Sequence, residues 1–244
     1  MADLIFGINP VAEALEGRRQ PLEMFVQKDA RNPRLEELVR GAEKRGVPVR
    51  PRERRDLDRL AGNQRHQGVV LRIEPFTYLD LTTLLARWKA SGDPAFFLAL
   101  DGVTDPHNFG ALLRSAEGAG CHGVIVPRDN FCPVTPVVDR ASAGALEHIP
   151  LCQVTNLSRA LDEMKKAGCW VYGLAGEQSQ NLYASDLLGD VVIVAGSEGK
   201  GLRPQVRKSC DILVAIPMHG EITSLNVSVA AALALFEVRR QRSR

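Results

Sequence analysis

Three short runs concentrate the residue types that can do chemistry. The first is Asp101-Gly-Val-Thr-Asp-Pro-His-Asn-Phe-Gly110, with Arg114 six residues beyond Asn108. The second is Gly196-Ser-Glu-Gly-Lys-Gly-Leu202, and the third is Pro217-Met-His-Gly-Glu-Ile-Thr-Ser-Leu-Asn-Val-Ser228. Glu198 is a carboxylate among glycines directly after an apolar run, where desolvation would demand a partner, and Arg114 is a candidate. Ser224 reads as the N-cap of a final helix, and Asn226 and Ser228 add more polarity to its first turn than a cap requires. Gly196, Gly199 and Gly201 are spaced G-x-x-G-x-G, the reverse of the dinucleotide fingerprint, and no G-x-x-x-x-G-K-[ST] is present. A dehydrogenase or NTPase is therefore disfavoured. The loop reads either as a turn that needs positive φ or as a ligand loop.

The elements that must position these runs follow from periodicity. Asn9-Pro10 and Asn32-Pro33 read as helix starts, with stops at Gly17 and Gly46. Strands are expected at Ile5 and Phe6, Leu22 to Gln27, Val47 to Arg50 and Gly68 to Ile73, with a short helix from Asp56 to Ala61. This α/β unit ends near residue 75. Residues 76–94 form a connector in which Asp80 caps one amphipathic helix. Beyond it, apolar runs (Phe96 to Leu100, Gly123 to Val126, Ile149 to Val154, Trp170 to Leu174, Val191 to Ala195, Ile212 to Ile216) alternate with helical segments, including Phe109 to Ala119, Val137 to Leu146, Leu157 to Ala167 and a closing helix from Leu225 to Gln241. Fully apolar strands between helices imply a parallel sheet covered on both faces. The chemistry-bearing loops then leave the carboxyl ends of its strands, where such sheets bind ligands.

A chain of 244 residues, 45% hydrophobic and 25% charged, suits one large domain or two smaller ones and excludes fibrous and disordered classes. The five scattered cysteines include no C-x-x-C pair, which disfavours a disulfide framework or a zinc site and makes them small buried hydrophobes. No metal is expected. Neither a membrane span nor a secretory signal is legible, so a cytoplasmic protein is expected. The charge is uneven. Residues 1–75 carry 15 Lys+Arg against 12 Asp+Glu, and 13 of those 15 are arginine. Arg50, Arg52, Arg54, Arg55 and Arg59 fall within ten residues and suit phosphate contact, although Glu53, Asp56 and Asp58 interleave and a solvated face is the other reading.

The runs Asn108-Phe-Gly-Ala-Leu-Leu-Arg114-Ser-Ala, Val194-Ala-Gly-Ser-Glu198-Gly-Lys-Gly-Leu202 and Ile216-Pro-Met with Ser224-Leu-Asn-Val-Ser228-Val-Ala resemble, in order, the three motifs of the SpoU (TrmH-like) 2′-O-ribose RNA methyltransferases of the SPOUT class. Phe6-Gly-Ile-Asn-Pro-Val and His66-Gln-Gly-Val-Val extend the likeness through the first unit. The resemblance implies an α/β, parallel-sheet catalytic domain at 95–244 with a C-terminal deep trefoil knot. It also implies a small L30e-like RNA substrate-binding domain at 1–75. S-adenosylmethionine is the implied cofactor, held by backbone groups at Gly196, Ile216 and Leu225, with Leu174, Ala175 and Met218 lining its site. Asn108, Arg114, Glu198, Ser224 and Asn226 are the implied catalytic set. Ser197 and Lys200 depart from common family residues.

Within the family the likeness is to members that methylate a guanosine of the peptidyl-transferase P-loop in 23S rRNA, so 23S rRNA or its precursor is the expected partner. A tRNA guanosine is the alternative, and a non-catalytic RNA-binding protein is the rival of a different class. The resemblance also implies a homodimer through the catalytic domain, which the largely apolar helix around Val227 to Phe236 suits. A guanidinium is always protonated, so Arg114 is expected to act as a fixed cation beside the target nucleotide rather than as a general base.

Overall fold

Successive side chains of the first strands point to opposite sides of one sheet, Ile5, Met24 and Leu71 to one core and Phe6, Phe25 and Val70 to another, so that sheet needs helices on both faces. The computed structural model, which describes residues 3–17, 19–28, 32–62, 65–176 and 179–243, supplies them. The chain falls into two compact units, residues 1–77 with 134–148, and residues 78–133 with 149–244.

The first unit runs β1 (Asp3–Phe6), α1 (Ile8–Glu16), β2 (Pro21–Gln27), α2 (Pro33–Lys44), β3 (Val49–Arg52), α3 (Arg54–Leu60) and β4 (Val69–Ile73). Its strand order is β1-β4-β2-β3, with β4 antiparallel to both neighbours and β3 parallel to β2. Asn32 caps α2 as its sequence suggests, the side chain accepting from the Arg34 amide. The Asn9-Pro10 signal misplaces the start of α1, because Gly7, at φ 98°, lets the chain turn two residues earlier and Gln67 Oε1 accepts from the Ile8 amide. The His66-Gln-Gly run is a pinned turn. His66 Nε2 lies 2.9 Å from Asp58 Oδ1, and its Nδ1 accepts from the Gly68 amide.

The second unit contains α4 (Leu81–Ser91), β5 (Phe96–Asp101), α5 (Pro106–Gly118) and β6 (Gly123–Pro127). The chain then contributes α6 (Pro136–Ser142) and α7 (Ala145–His148) to the first unit. It returns through β7 (Leu151–Val154), α8 (Leu157–Lys166), β8 (Trp170–Leu174), β9 (Gln180–Asn181), β10 (Val191–Gly196), α9 (Pro204–Ser209), β11 (Ile212–Ala215) and α10 (Val227–Arg242). The seven strands are parallel in the order β7-β6-β5-β10-β8-β11-β9. Residues of α4, α8 and α9 close one face of this sheet, and α5 and α10, packed side by side, close the other.

Residues 134–148, read from the sequence as one helix within the second half, cluster with the first unit. Ala143 and Gly144, both at positive φ, break that helix into α6 and α7. Periodicity shows that a face is buried and not what buries it; here α6 packs on β1 and α7 on α1. Arg19 clasps the segment, pairing with Glu147, with Asp3 at 3.0 Å and with Asp139 at 3.6 Å. Burial, opposed by Arg19 and reinforced by Glu147, pushes the Asp139 carboxyl up to about 7.

Candidate functional site

The parallel register of the large sheet decides where the chemistry-bearing loops meet. Gly196, the last residue of β10, stands opposite Asp101, the last of β5, so the loops after both strands leave the same edge. Asp105 caps α5 by accepting from the Asn108 amide, which places Asn108 in the first turn beside the Glu198 loop. At α10 the cap is Asn226 and not Ser224; Asn226 Oδ1 accepts from both the amide and the hydroxyl of Ser228. Because α5 and α10 lie side by side, Asn108 and Asn226 face each other across 118 residues of sequence.

The two asparagines close on Glu198. Glu198 Oε1 accepts from Asn108 Nδ2 at 2.8 Å and from Asn226 Nδ2 at 2.5 Å, and Asn226 Nδ2 also donates to Asn108 Oδ1 at 3.0 Å. The sequence expectation that Glu198 pairs with Arg114 is corrected here. The carboxylate is exposed, so it needs no compensating cation, and two amides occupy it. Arg114 lies exposed on α5, and among the described residues it has no hydrogen-bond or ion-pair partner.

The loop that carries Glu198 is a tight turn. Ser197 and Gly201 exchange backbone hydrogen bonds, the Lys200 amide donates to the Glu198 carbonyl, and Gly199 and Gly201 adopt φ of 75° and 64°. Gly196 is needed for a different reason, since a Cβ there would lie 2.2 Å from the carbonyl carbon of Gly201. Ser197 thus serves the turn through its backbone, and Lys200 is exposed.

Beneath this turn is a cleft of about 680 Å³. Leu174 and Ala175 at the end of β8, Gly196 and Glu198 at the end of β10, Ile216 and Met218 after β11, and Ser224, Leu225 and Asn226 before α10 all line it, whereas Asn108 and Arg114 do not. The walls combine small or apolar side chains at three strand ends with the polar Glu198, Lys200, Arg207 and Thr223, and the volume suits a ligand of cofactor size. Sequence reasoning opened the first run on Asp101 but gave it no role. Fully buried, it accepts from the Arg203 amide at 2.7 Å and from Arg203 Nε at 2.6 Å, tying down the far end of the glycine turn. The signal was present as a carboxylate closing an otherwise apolar strand.

In the first unit Arg50 pairs with Glu23, Arg52 lies over the Phe25 ring, and Arg54 and Arg55 are exposed in the first turn of α3, where the helix dipole disfavours cations. Arg72, not singled out in the sequence, joins them, its Nη1 at 3.5 Å from Glu23. It is the single charge in the apolar strand Val69-Val-Leu-Arg-Ile73. Among the described residues no His, Cys, Asp and Glu group could hold a metal ion, and no helix is long and apolar enough to cross a membrane. The five thiols are free, and burial pushes Cys152, Cys169 and Cys210 up to about 12, which leaves them inert at neutral pH.

Comparison with known proteins agrees with both units. Residues 95–236 match the SpoU rRNA Methylase family, and residues 4–79 match the RNA 2′-O ribose methyltransferase substrate binding family. The chain is 45% identical to the 23S rRNA (guanosine-2′-O-)-methyltransferase RlmB of Shewanella oneidensis over 98% of both chains. It is 41% identical to the Escherichia coli RlmB over the whole of both chains. The SpoU methyltransferase AviRb of Streptomyces viridochromogenes, solved in complex with AdoMet, superposes with a TM-score of 0.81 at 26% identity, over 98% of this chain and 90% of that one. With the second and third motif runs lining one cleft and the first joined to its rim through Asn108, these matches place the chain in the SpoU rRNA methylase family.

Proposed function

We propose that this protein methylates the 2′-hydroxyl of a guanosine in 23S rRNA, with S-adenosylmethionine as methyl donor. The observation that carries the reading is the cleft itself. Three strand ends and the Asn108, Glu198 and Asn226 network meet at one rim, in a chain that aligns end to end with 23S rRNA guanosine methyltransferases. Backbone groups of Gly196, Ile216 and Leu225 would hold the adenosine part, and Leu174, Ala175 and Met218 would cover it, a role that explains why these side chains are merely small or apolar. When bound, S-adenosylmethionine supplies a methyl group already activated by its sulfonium.

The protein must then orient the ribose and ease loss of the hydroxyl proton. Arg114 serves as the fixed cation that holds the target nucleotide and stabilises the oxygen as it gains charge, the proton leaving to water or to a phosphate oxygen. Glu198, Asn108, Asn226 and Ser224 fix the rim against which the ribose is placed. Arg50, Arg52, Arg54 and Arg55 of the first unit contact the RNA backbone.

Several finer features belong to the same proposal. The catalytic domain is a trefoil-knotted SPOUT domain. In support, β10 inserts between β5 and β8, the later β11 lies beyond β8, and α10 returns to pack on α5 and β10. The first unit is an L30e-like domain, and the enzyme works in the cytoplasm. It is also a homodimer through the catalytic domain, because Val229, Leu233 and Phe236 form an exposed apolar stripe at i, i+4 and i+7 on α10. The activity is tested by incubating the pure protein with labelled S-adenosylmethionine and either a 23S P-loop fragment or bulk tRNA. Label in alkali-resistant dinucleotides of the 23S fragment is expected. Label in bases only, or RNA binding without transfer, refutes ribose methylation, and preferential labelling of tRNA moves the substrate.

A further inference from the structure

We propose that one row of the first unit's sheet, Arg72 and Arg50 around Glu23 with Arg52 beside them, is a pre-oriented phosphate-binding strip that grips the backbone of the RNA substrate. The proposal rests on the reading of the protein as an RNA methyltransferase. It adds Arg72, and it assigns Glu23 and Phe25 the task of holding the guanidinium groups.

The register places these residues together. Arg72 of β4 stands opposite Glu23 of β2, and in the next row Phe25 of β2 stands between Val70 of β4 and Arg50 of β3. Paired residues project from the same face, so Glu23, Phe25, Arg50, Arg52, Val70 and Arg72 share one side of the sheet. Leu57 and Ala61, on and just after α3, cover that side over Phe6, Phe25 and Val70. The row of Arg72 and Glu23 lies outside this cluster, with the Arg72 side chain 47% and the Arg50 side chain 62% exposed.

The charges are arranged, not merely present. The Glu23 side chain is only 12% exposed and pairs with both Arg50 and Arg72, so one carboxylate orients two cations and neutralises half of their charge. Arg52 and Arg72 lie over the Phe25 ring at 5.6 and 5.8 Å from its centroid. Half-exposed ion pairs contribute little to stability, so folding alone does not account for three arginines here. The planar guanidinium binds phosphate oxygens bidentately, and cations whose stems are already fixed lose less entropy in doing so. Phe25 itself is buried and cannot stack on a base, so the strip reads backbone charge and not sequence.

The test uses the full chain with Arg72→Ala, Arg50→Ala and the double substitution, and a 23S P-loop fragment as RNA. The expected result is a rise in the KM for RNA of roughly tenfold in the double variant, a smaller loss in kcat, and a slope of log affinity against log salt shallower by about one to two. Arg72→Lys should recover the slope and part of the affinity. Should Arg72→Ala lower the thermal midpoint through Phe25, Arg72→Gln, which keeps the stem over the ring, carries the same measurement. Folded variants with unchanged KM and salt slope overturn the proposal, including the case in which the strip binds an acidic protein instead. If the wild-type chain binds the fragment with the steep slope, the variants lose it and no methyl group is transferred, the strip stands and the methyltransferase reading fails.

Discussion

Replacing Gly196 with alanine tests whether the geometry of the glycine turn controls catalysis. The new Cβ would lie 2.2 Å from the Gly201 carbonyl carbon and 2.4 Å from its oxygen, where an ordinary contact needs at least 3.4 Å. The obstacle is backbone, so the strand of Ser197 to Gly201 must retreat by more than about 1 Å, a shift of the size that costs roughly 10²-fold in rate when it misplaces a catalytic group. That turn carries Glu198, which holds Asn108 and Asn226 through bonds of 2.8 and 2.5 Å, too short to stretch by that amount and persist. Overpacking should cost about 1–3 kcal/mol of stability, roughly 2–12 °C in thermal midpoint, so the variant remains folded at 25 °C. Gly199→Ala is the matched control. Gly199, unlike Gly196, is at positive φ and has no atom within 4 Å of a Cβ, so it pays a backbone penalty of about 1–2 kcal/mol without displacing the turn. Initial rates of methyl transfer, calorimetric binding of S-adenosylmethionine and thermal melts on both variants separate the two. A Gly196→Ala rate within about threefold of wild type, or an equal loss in Gly199→Ala, refutes the reasoning.

Three further outcomes are expected. Arg114→Lys keeps the charge without the planar fork and Arg114→Ala loses both, so the lysine variant should retain more activity; both should keep the wild-type slope of log rate against pH, and a slope that vanishes in Arg114→Lys makes Arg114 the titrating base. Asp139 is raised from 3.8 to about 7, so its stabilisation is complete below about pH 4 and is lost as pH rises through 7, where the folded state surrenders a proton that the unfolded state gave up earlier. Wild type should lose at most about 2–3 kcal/mol between pH 5 and 8 from this group, Asp139→Asn should lack that component, and equal pH slopes in thermal melts contradict it. Phe236→Glu with Leu233→Glu should sediment as a monomer where the wild type is a dimer, and a wild type that is itself monomeric at micromolar concentration rejects the interface.

How much of this was legible in the sequence depends on what sets each feature. The parallel sheet was legible because runs such as Val191 to Ala195 have no polar face and permit little else. The wall of the cleft followed from the family resemblance, which implied Leu174 and Ala175 outside the motif runs as well as Gly196, Ile216 and Leu225 within them. The partner of Glu198 was not, because spacing brings a carboxylate and a cation to the same region without saying which polar group occupies the carboxylate first. Ser224 was misread as the cap because Ser and Asn cap helices almost equally well, and the choice of Asn226 follows from tertiary bonds to Asn108 and Glu198 that only the packing of α10 against α5 creates. Arg72 was overlooked because the run Gly68 to Ile73 read only as a strand, and the face of a strand left uncovered depends on where α3 stops.

The pairing of Glu198 with amides has a chemical consequence. An ion pair would fix the Arg114 guanidinium but would also compensate its charge, leaving less attraction for a phosphate or for a ribose oxygen losing its proton. Neutral amides can satisfy the carboxylate without a cation, and Asn226 can do so because its own oxygen is already held by Ser228. The rim is thereby rigid while Arg114 stays exposed and uncompensated. The first unit follows the opposite arrangement, with Glu23 shared by Arg50 and Arg72, which lowers the net charge of the strip in exchange for orientation. That difference matches the two tasks. Backbone grip needs several moderate cations that release as readily as they bind, whereas charge appearing on a single oxygen in the transition state is best met by one cation that no other group has claimed.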